Sequence, residues 1–204
     1  MRDRFSGAIA GVGTTSGVRV VVGRWPTSPY GAFADAMVET ATGHRVLLAP
    51  SREVADFVAA TYSFDEVRVE PFAVTDAWSV RSDSLELDLV VGGTTALGRL
   101  LRLVPRRIAT APWWCTVTDP VARVVLRGVR TRGSAGGGRR EYYGATGVRR
   151  LTAARGAFDG VDLGTLAPVD PPPRFGFSST PRRPSVTDVV TTVVSPAPPA
   201  APSR

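Results

Sequence analysis

The clearest alternation of apolar and polar residues is LELDLVV at Leu85–Val91, where leucines occupy every second position. This period of two predicts a β-strand with one buried and one wet face. Shorter or less regular runs with the same preference for β-branched and aromatic residues recur along the chain. They are Phe5–Val12, Val18–Trp25, Glu66–Ala73, Ala77–Arg81, Val129–Ser134, Arg139–Tyr143, Val148–Phe158 and Val186–Val194.

Two further segments, Phe33–Thr40 and His44–Ala49, predict a β-hairpin. The loop between them ends in Gly43, which can adopt the left-handed conformation that a three-residue loop needs. The resulting register places Glu39 opposite Arg45 and aligns apolar residues on both strands. Because both faces of this hairpin carry apolar side chains, we expect it to be covered on both sides.

Helical spacing appears in SREVADFVAATY, Ser51–Tyr62, where Ser51 is a suitable N-cap and the apolar residues form one stripe. A second helix is expected from Thr94 or Thr95 to Val104. The segment Pro120–Leu126 is compatible with a short helix or a strand. Glycine-rich turns are expected at 136–138 and 144–147.

About ten short strands and about two helices predict an α+β, β-rich fold, with a mainly antiparallel curved sheet or a barrel-like body. We expect one globular domain over residues 1–165. Residues 166–194 are expected to form a proline-rich extended stretch with a possible last strand, and residues 195–204 a disordered tail.

Charge is distributed unevenly along the chain. Residues 1–95 hold 8 Arg and 12 acidic residues, net −4, whereas residues 96–155 hold 13 Arg and 2 acidic residues, net +11. The arginine-rich half either presents a basic face to an anionic partner or packs against the acidic half. Lys, Asn and Gln are absent, which is typical of a GC-rich genome, so the use of Arg does not by itself indicate phosphate recognition.

Several classes of site are excluded or disfavoured by composition. A single cysteine, Cys115, and a single histidine, His44, exclude an intramolecular disulfide and multi-histidine or multi-cysteine metal sites, so we expect no metal and no cofactor. We interpret Cys115 as a core residue and His44 as a partly exposed turn residue. No apolar run approaches the ~20 residues of a membrane span, and no secretory leader is recognisable, which favours a cytoplasmic protein.

Asp35 is the one weak candidate for a catalytic residue. It lies between Phe33 and Met37 on one face of a predicted strand, where a buried carboxyl would have a raised pKa and could act as an acid or base. The alternative is a solvated aspartate or one paired with an arginine such as Arg24. Because arginine is abundant, we expect such a pair.

GVRTRGSAGGGRREYYG at Gly128–Gly144 is the most unusual segment. Its glycines and arginines could bind an anion, and a tyrosine beside them could stack on a base. The alternative is a hairpin with arginines on its wet face. The candidate ligand-binding residues are Arg130, Arg132, Arg139, Arg140 and Tyr142.

The segments GRWPTSPYGAFADAMVE (23–39), HRVLLAPSREVADFVAATYSFDEV (44–67), GVRTRGSAGGGRREYYGA (128–145) and APVDPPPRFGF (167–177) resemble an uncharacterised family of short proteins from high-GC actinobacteria. The resemblance covers most of the chain and implies no activity. The sequence therefore predicts a non-enzymatic binding or structural protein with a pocket for a small apolar or anionic ligand. The alternatives are an enzyme that uses Asp35 as acid or base and a nucleic-acid binder that uses the arginine-rich region 96–155. Oligomeric state is left open.

Overall fold

A computed structural model describes residues 2–125, 129–134 and 138–195 of the chain. Thirteen strands and four helices follow one another along these residues, with most strands in consecutive runs. The strands are β1 Arg2–Thr14, β2 Arg19–Thr27, β3 Phe33–Glu39, β4 Arg45–Ala49, β5 Glu66–Val69, β6 Phe72–Val74, β7 Ser79–Ser82, β8 Leu85–Thr94, β9 Arg132–Ser134, β10 Arg140–Phe158, β11 Val161–Asp162, β12 Leu166–Ala167 and β13 Ser185–Val194. The helices are α1 Arg52–Ala59, α2 Ala96–Leu101, α3 Arg106–Ala109 and α4 Pro112–Val125.

The strands form one curled sheet in the order β5-β4-β3-β2-β1-β13-β10-β8-β7-β6, and β9, β11 and β12 pair at its sides. Every pairing is antiparallel except that of β4 with β5. The sheet curls so far that β6 contacts β3. The β-rich α+β class and the curved, mainly antiparallel sheet expected from the sequence are confirmed.

Strand β13 lies in the middle of the sheet, although it is the last strand of the described chain. It pairs with β1 on one side and β10 on the other, so that Thr191 lies beside Phe5 and Tyr143. The strand expected at Val186–Val194 is therefore a central structural element.

Two cores lie on opposite faces of the curled sheet. The concave face carries small and branched residues of β1 to β4, which pack against β7, β8 and β10. The convex face carries Leu47 and Ala49, against which α1 packs through Val54, Ala55 and Val58. A sheet covered on both faces explains why β3 and β4 have apolar residues at successive positions.

The register of the predicted hairpin and the start of the first helix are confirmed, whereas the helix ends at Ala59 and not at Tyr62. Val38 pairs with Val46 and Glu39 with Arg45. Ser51 caps α1, and its Oγ accepts a hydrogen bond from Val54 N at 3.3 Å. This helix is one of the elements that covers the cavity described below.

Helix α4 differs from the expectation. Its 14 residues contain Pro120, which has no backbone N–H to continue the helical ladder. Pro112 occupies the first position, where the missing donor costs nothing. The exposed side of α4 is apolar at Trp113, Val117 and Val121. The sequence did not predict where α4 begins or which of its sides is exposed, because an ordinary surface helix has polar residues on its exposed side.

Strand β10 runs without interruption through the segment expected to be a turn at 144–147. The register against β13 shifts between Ala145 and Gly147, so the extra residue forms a bulge instead. Gly144 is needed there because a Cβ would lie 2.6 Å from Thr110 Cα and 2.7 Å from Ala109 O. Helix α3 thus packs directly on the β10 backbone.

Parts of two sequence-based predictions lie outside the described residues. These are the glycine turn at residues 136 and 137 and the tail at 196–204. Within the described ranges, no helix has both the length and the apolar character needed to cross a membrane.

Candidate functional site

A cavity of about 60 Å³ lies on the convex face between the sheet and the end of α1. Its floor comes from β1, β2, β3, β10 and β13, and its roof from α1 and the residues that follow it. We call it the carboxyl cavity because Asp35 and Glu141 both line it. The other lining residues are Phe5, Ile9, Val21, Gly23, Trp25, Phe33, Met37, Phe57, Val58, Tyr62, Tyr143, Thr191 and Val193.

Asp35 points into this cavity from β3 and is only 6% exposed. Its Oδ1 accepts a hydrogen bond from Trp25 Nε1 at 3.0 Å. Burial raises the pKa of Asp35 from its ordinary value of 3.8 to about 7, and the indole hydrogen bond opposes this shift. Near neutral pH the carboxyl therefore exists in both protonation states, as an acid or base catalyst requires.

The expected arginine partner of Asp35 is not found. In the described part of the chain, Asp35 takes part in no ion pair, and Arg24 pairs instead with Asp76. The register explains the error. Arg24 lies one position from Gly23, the residue opposite Asp35, and so its side chain points to the other face of the sheet.

Gly23 leaves the space that the Asp35 carboxyl and the Trp25 indole occupy. A Cβ on Gly23 would lie 2.5 Å from both Asp35 Oδ1 and Trp25 Nε1. Any side chain at this position would displace one of the two groups. The hydrogen bond between Trp25 and Asp35 therefore requires glycine at position 23.

A second polar cluster, formed by Glu141, Tyr62 and Tyr143, lines the same cavity. Both tyrosine hydroxyls donate to Glu141 Oε2, at 2.9 Å from Tyr62 and 2.8 Å from Tyr143. The two hydroxyls also contact each other. Glu141 and Tyr143 belong to the same face of β10, whereas Tyr62 follows α1, so the cluster joins helix and sheet.

Burial shifts the pKa values of all three groups of this cluster upward. Burial raises the pKa of Glu141, while the two tyrosine hydrogen bonds and Arg139 oppose the shift. The pKa values of Tyr62 and Tyr143 are raised well above 10, first by burial and then by the neighbouring Glu141 carboxylate. Both phenols therefore remain protonated at neutral pH, and each donates its one hydroxyl proton to Glu141 Oε2.

Asp35 and the tyrosine cluster act on one another electrostatically. The charge of Asp35 contributes to the raised pKa of Tyr62. Thr191 adds a further polar group, since its buried Oγ1 lines the cavity and has no hydrogen-bond partner. A proton acceptor, two hydroxyl donors and an unsatisfied hydroxyl thus surround an otherwise apolar space.

The five residues predicted to bind a ligand do not converge on one place. Arg132, Arg140 and Tyr142 share one face of the β9–β10 ladder, opposite to the face of Glu141. Arg130 lies near Asp119, with 3.9 Å between Nη2 and Oδ2. Because the glycines between these strands lie partly outside the described residues, the ligand site there stays a prediction.

Arg139 contacts the end of α1. Its guanidinium lies 5.1 Å from the ring centroid of Phe57, which lines the carboxyl cavity. Its Nη1 donates to Phe57 O at 3.3 Å and to Thr61 Oγ1 at 3.2 Å. Arg139 therefore fixes the end of α1 over the cavity.

His44 and Cys115 are not part of the site. His44 is exposed, and its Nε2 lies 3.1 Å from Glu66 Oε2. Cys115 is 1% exposed, and burial raises the pKa of its thiol to about 11, so no reactive thiolate forms at neutral pH. Both observations agree with the structural roles expected for them.

Sequence analysis identified one of the two carboxyls and neither tyrosine of the site. Asp35 stood out because it interrupts an apolar strand. Glu141 gave a weaker signal, as one of two acidic residues among many arginines. Tyr62 gave none, because only the packing of α1 on β10 brings it to Glu141.

Among the described residues, no cluster of three or more His, Cys, Asp and Glu side chains could hold a metal ion. Comparison with protein-family models, curated proteins and solved structures gave no match to this chain. The geometry of the cavity is therefore the basis for assigning a function.

Proposed function

We propose that the protein binds a small uncharged organic molecule in the carboxyl cavity and that Asp35 exchanges a proton with it. The observation that carries the proposal is a buried carboxyl with a pKa of about 7 beside free space and without a cationic partner in the described chain. Structural carboxyls at such positions are usually paired, whereas acid–base catalysts are adjusted to titrate near neutral pH.

The lining favours an uncharged ligand over an anionic one. No arginine or histidine is among the described residues that line the cavity, and both titratable acids there would repel an anion. The aromatic residues, among them Phe5, Phe33 and Phe57, favour an apolar body. The small volume favours a compact molecule of a few heavy atoms.

The arrangement suits proton transfer at a carbon next to a carbonyl group. The ionised Asp35 carboxylate would take the proton, and the electron pair would move to the carbonyl oxygen as an enolate. The hydroxyl of Tyr62 or Tyr143 would donate to that oxygen after turning away from Glu141 Oε2, because both phenols stay protonated at neutral pH. Exchange of the proton on Asp35 with solvent, followed by transfer of a solvent-derived proton from Asp35 to the carbon, would complete the cycle.

Small ketones such as butanone test the proposal in deuterated buffer. Saturation-transfer NMR measures binding, and loss of the α-proton signal measures exchange. We expect wild-type protein to bind butanone and to accelerate exchange, with a rate that rises with pH through an apparent pKa near 7. Asp35→Asn should abolish exchange.

Asp56→Asn is the matched control, because Asp56 is exposed on α1 and does not line the cavity. This variant should keep the wild-type rate. Binding without exchange in wild type would overturn the proton-transfer part and leave the non-enzymatic binding protein expected from the sequence. Absence of binding by any small ketone would overturn the proposal as a whole.

A further inference from the structure

A larger and open groove, of about 610 Å³, lies on the concave face of the sheet. Ala8, Arg24 and Asp188 line it. Each lies two positions from a core residue of the same strand, so its side chain is on the same face of the sheet as that core. The carboxyl cavity lies on the convex face. The groove is therefore a separate site, and we call it the arginine groove after Arg24, Arg102, Arg106 and Arg149, which line it.

The guanidinium groups of the arginine groove outnumber the carboxylates near them. Arg149 Nη2 lies 3.4 Å from Asp188 Oδ1, but its buried Nε has no hydrogen-bond partner. Arg24 pairs with Asp76, whose side chain is 94% exposed at the rim. Two positive charges are thus compensated, one of them by a solvated residue.

The other two arginines have no carboxylate partner in the described chain. Arg106 Nη2 lies 3.4 Å from Ser6 Oγ, a neutral acceptor. No ion pair in the described chain involves Arg102, which lies near Asp188 but beyond ion-pair distance. Both arginines are exposed and flank Pro105, in the link between α2 and α3. The groove therefore carries a local excess of about two positive charges.

One wall of the groove is apolar and fixed. Trp78 lines it, is 2% exposed, and has φ of 63°, a left-handed conformation that bulky residues rarely adopt. Hydrogen bonds from Trp78 N to Thr75 O and from Ser79 N to Thr75 Oγ1 hold this turn. Val104 and Pro26 extend the apolar wall. A ligand here would meet both apolar surface and guanidinium groups.

We propose that the arginine groove binds a small molecule that carries at least two anionic groups, phosphate or carboxylate, and an apolar part. Planar guanidinium groups bind both kinds of oxyanion through paired hydrogen bonds. The groove volume is in the range of about 300–1,000 Å³ that is typical of small-molecule sites. This site is independent of the proposed function of the carboxyl cavity.

Calorimetric titration of the full chain with pyrophosphate and with citrate tests the proposal. We expect saturable binding of at least one of the two at low salt, and the tighter one identifies the phosphate or the carboxylate class. Arg102→Gln combined with Arg106→Gln should weaken binding by at least about tenfold, because two charge-assisted contacts are lost.

Arg99→Gln combined with Arg107→Gln is the matched control, since both residues are exposed on the same helices and neither lines the groove. This variant has the same net charge as the first and should bind within about twofold of wild type. Equal weakening in both variants would mean non-specific attraction and overturn the site. Absence of saturation, or tighter binding of a short DNA duplex that is lost in the same variant, would also overturn it.

Discussion

Asp35 and Glu39 lie on the same face of β3, and their hydrogen-bond partners differ in charge. Glu39 is 2% exposed and bonds to Arg19 Nη2 at 2.8 Å. Asp35 has the Trp25 indole as its hydrogen-bond donor, and that group carries no charge. A carboxylate without a cation is costly to bury, so the folded protein holds the proton of Asp35 more tightly than the unfolded chain does.

Asp35→Asn should therefore make the protein more stable above neutral pH. Between about pH 4 and pH 7, unfolded Asp35 has lost its proton and folded Asp35 still holds it, so this group lowers stability as the pH rises. The raised pKa corresponds to a difference of about 2–4 kcal/mol at pH 8 between the free energies of unfolding of the two proteins, and to no difference near pH 3. Urea denaturation of both proteins at the two pH values measures the effect.

The control for this prediction is Asp56→Asn, which removes an exposed carboxyl and should change stability by less than about 0.5 kcal/mol at either pH. An Asp35→Asn variant that is less stable than wild type at pH 8 would contradict the prediction. It would mean that the carboxylate is charged and paired in the folded protein.

Site residues could be predicted from the sequence only where the alternation of side chains along a single strand is enough to identify them. Asp35 met that condition, since its neighbours in β3 are apolar. The Glu141 cluster did not, because 79 residues separate Tyr62 from Glu141 along the chain. The error about Arg24 has the same origin, because face assignment needed the β2–β3 register, which no local pattern gives.

At the scale of elements, Glu39 ties strand β3 to two other parts of the chain. Besides Arg19 on β2, it accepts a hydrogen bond from Arg174 N at 2.6 Å through Oε2. Arg174 belongs to the extended stretch before β13, which covers the convex face. One buried carboxylate thus fixes the position of a segment that has little regular structure of its own.

Glu39→Gln should destabilise the protein by roughly 3–5 kcal/mol, because it leaves the buried Arg19 guanidinium without a counter-charge. Glutamine preserves the side-chain volume and can still accept from Arg174 N through its one oxygen, so the substitution removes the charge and the acceptor that faces Arg19. The midpoint of urea denaturation at pH 7 measures it.

Glu66→Gln provides the comparison, since Glu66 pairs with Arg68 but its side chain is 40% exposed. Removal of this exposed pair should cost less than about 1 kcal/mol. Equal effects of the two substitutions would contradict the structural role assigned to Glu39.

Local sequence patterns predicted those elements whose signals are local. Hairpin β3–β4 and the Ser51 cap of α1 depend on a loop glycine and a capping side chain, and both were predicted. Helix α4 was not, because Pro120 and an apolar exposed face both argue against a surface helix. The bulge in β10 was mistaken for a turn, since Gly144 and Gly147 are equally suited to both.

Across the whole molecule, the acidic and basic halves of the chain do not neutralise one another. Acids of residues 1–95 pair with cations of the same region, as in Arg45–Asp65 and Arg81–Asp88. In the described chain, Arg155–Asp88, at 3.8 Å, is the one ion pair between an arginine of 96–155 and an acid of 1–95. These pairs give no support to the interpretation that the arginine-rich region packs against the acidic half, and an anionic partner for that region stays a prediction.

Stability should therefore increase when sodium chloride is raised from about 20 to about 300 mM. At a net charge of +7, salt screens repulsion among arginines more than it weakens the few exposed ion pairs. We expect the thermal midpoint to rise by a few degrees. Differential scanning calorimetry at pH 7 measures it.

A neutral osmotic control, sucrose at matched osmolality, separates screening from general solvent effects. A thermal midpoint that falls with sodium chloride would mean that the attractive ion pairs outweigh the repulsion among arginines, and it would contradict this prediction.

The central position of β13 also determines the order in which the sheet can be completed. Hairpins β1–β2 and β3–β4 pair residues close in sequence, so they can form early and rapidly. Pairing of Phe5 with Thr191 closes a loop of more than 180 residues, and until then β1 and β10 each have an unpaired edge. Such edges are prone to pair with other chains. We therefore expect refolding to be slow and yields to fall as protein concentration rises, although the native sheet leaves neither edge free.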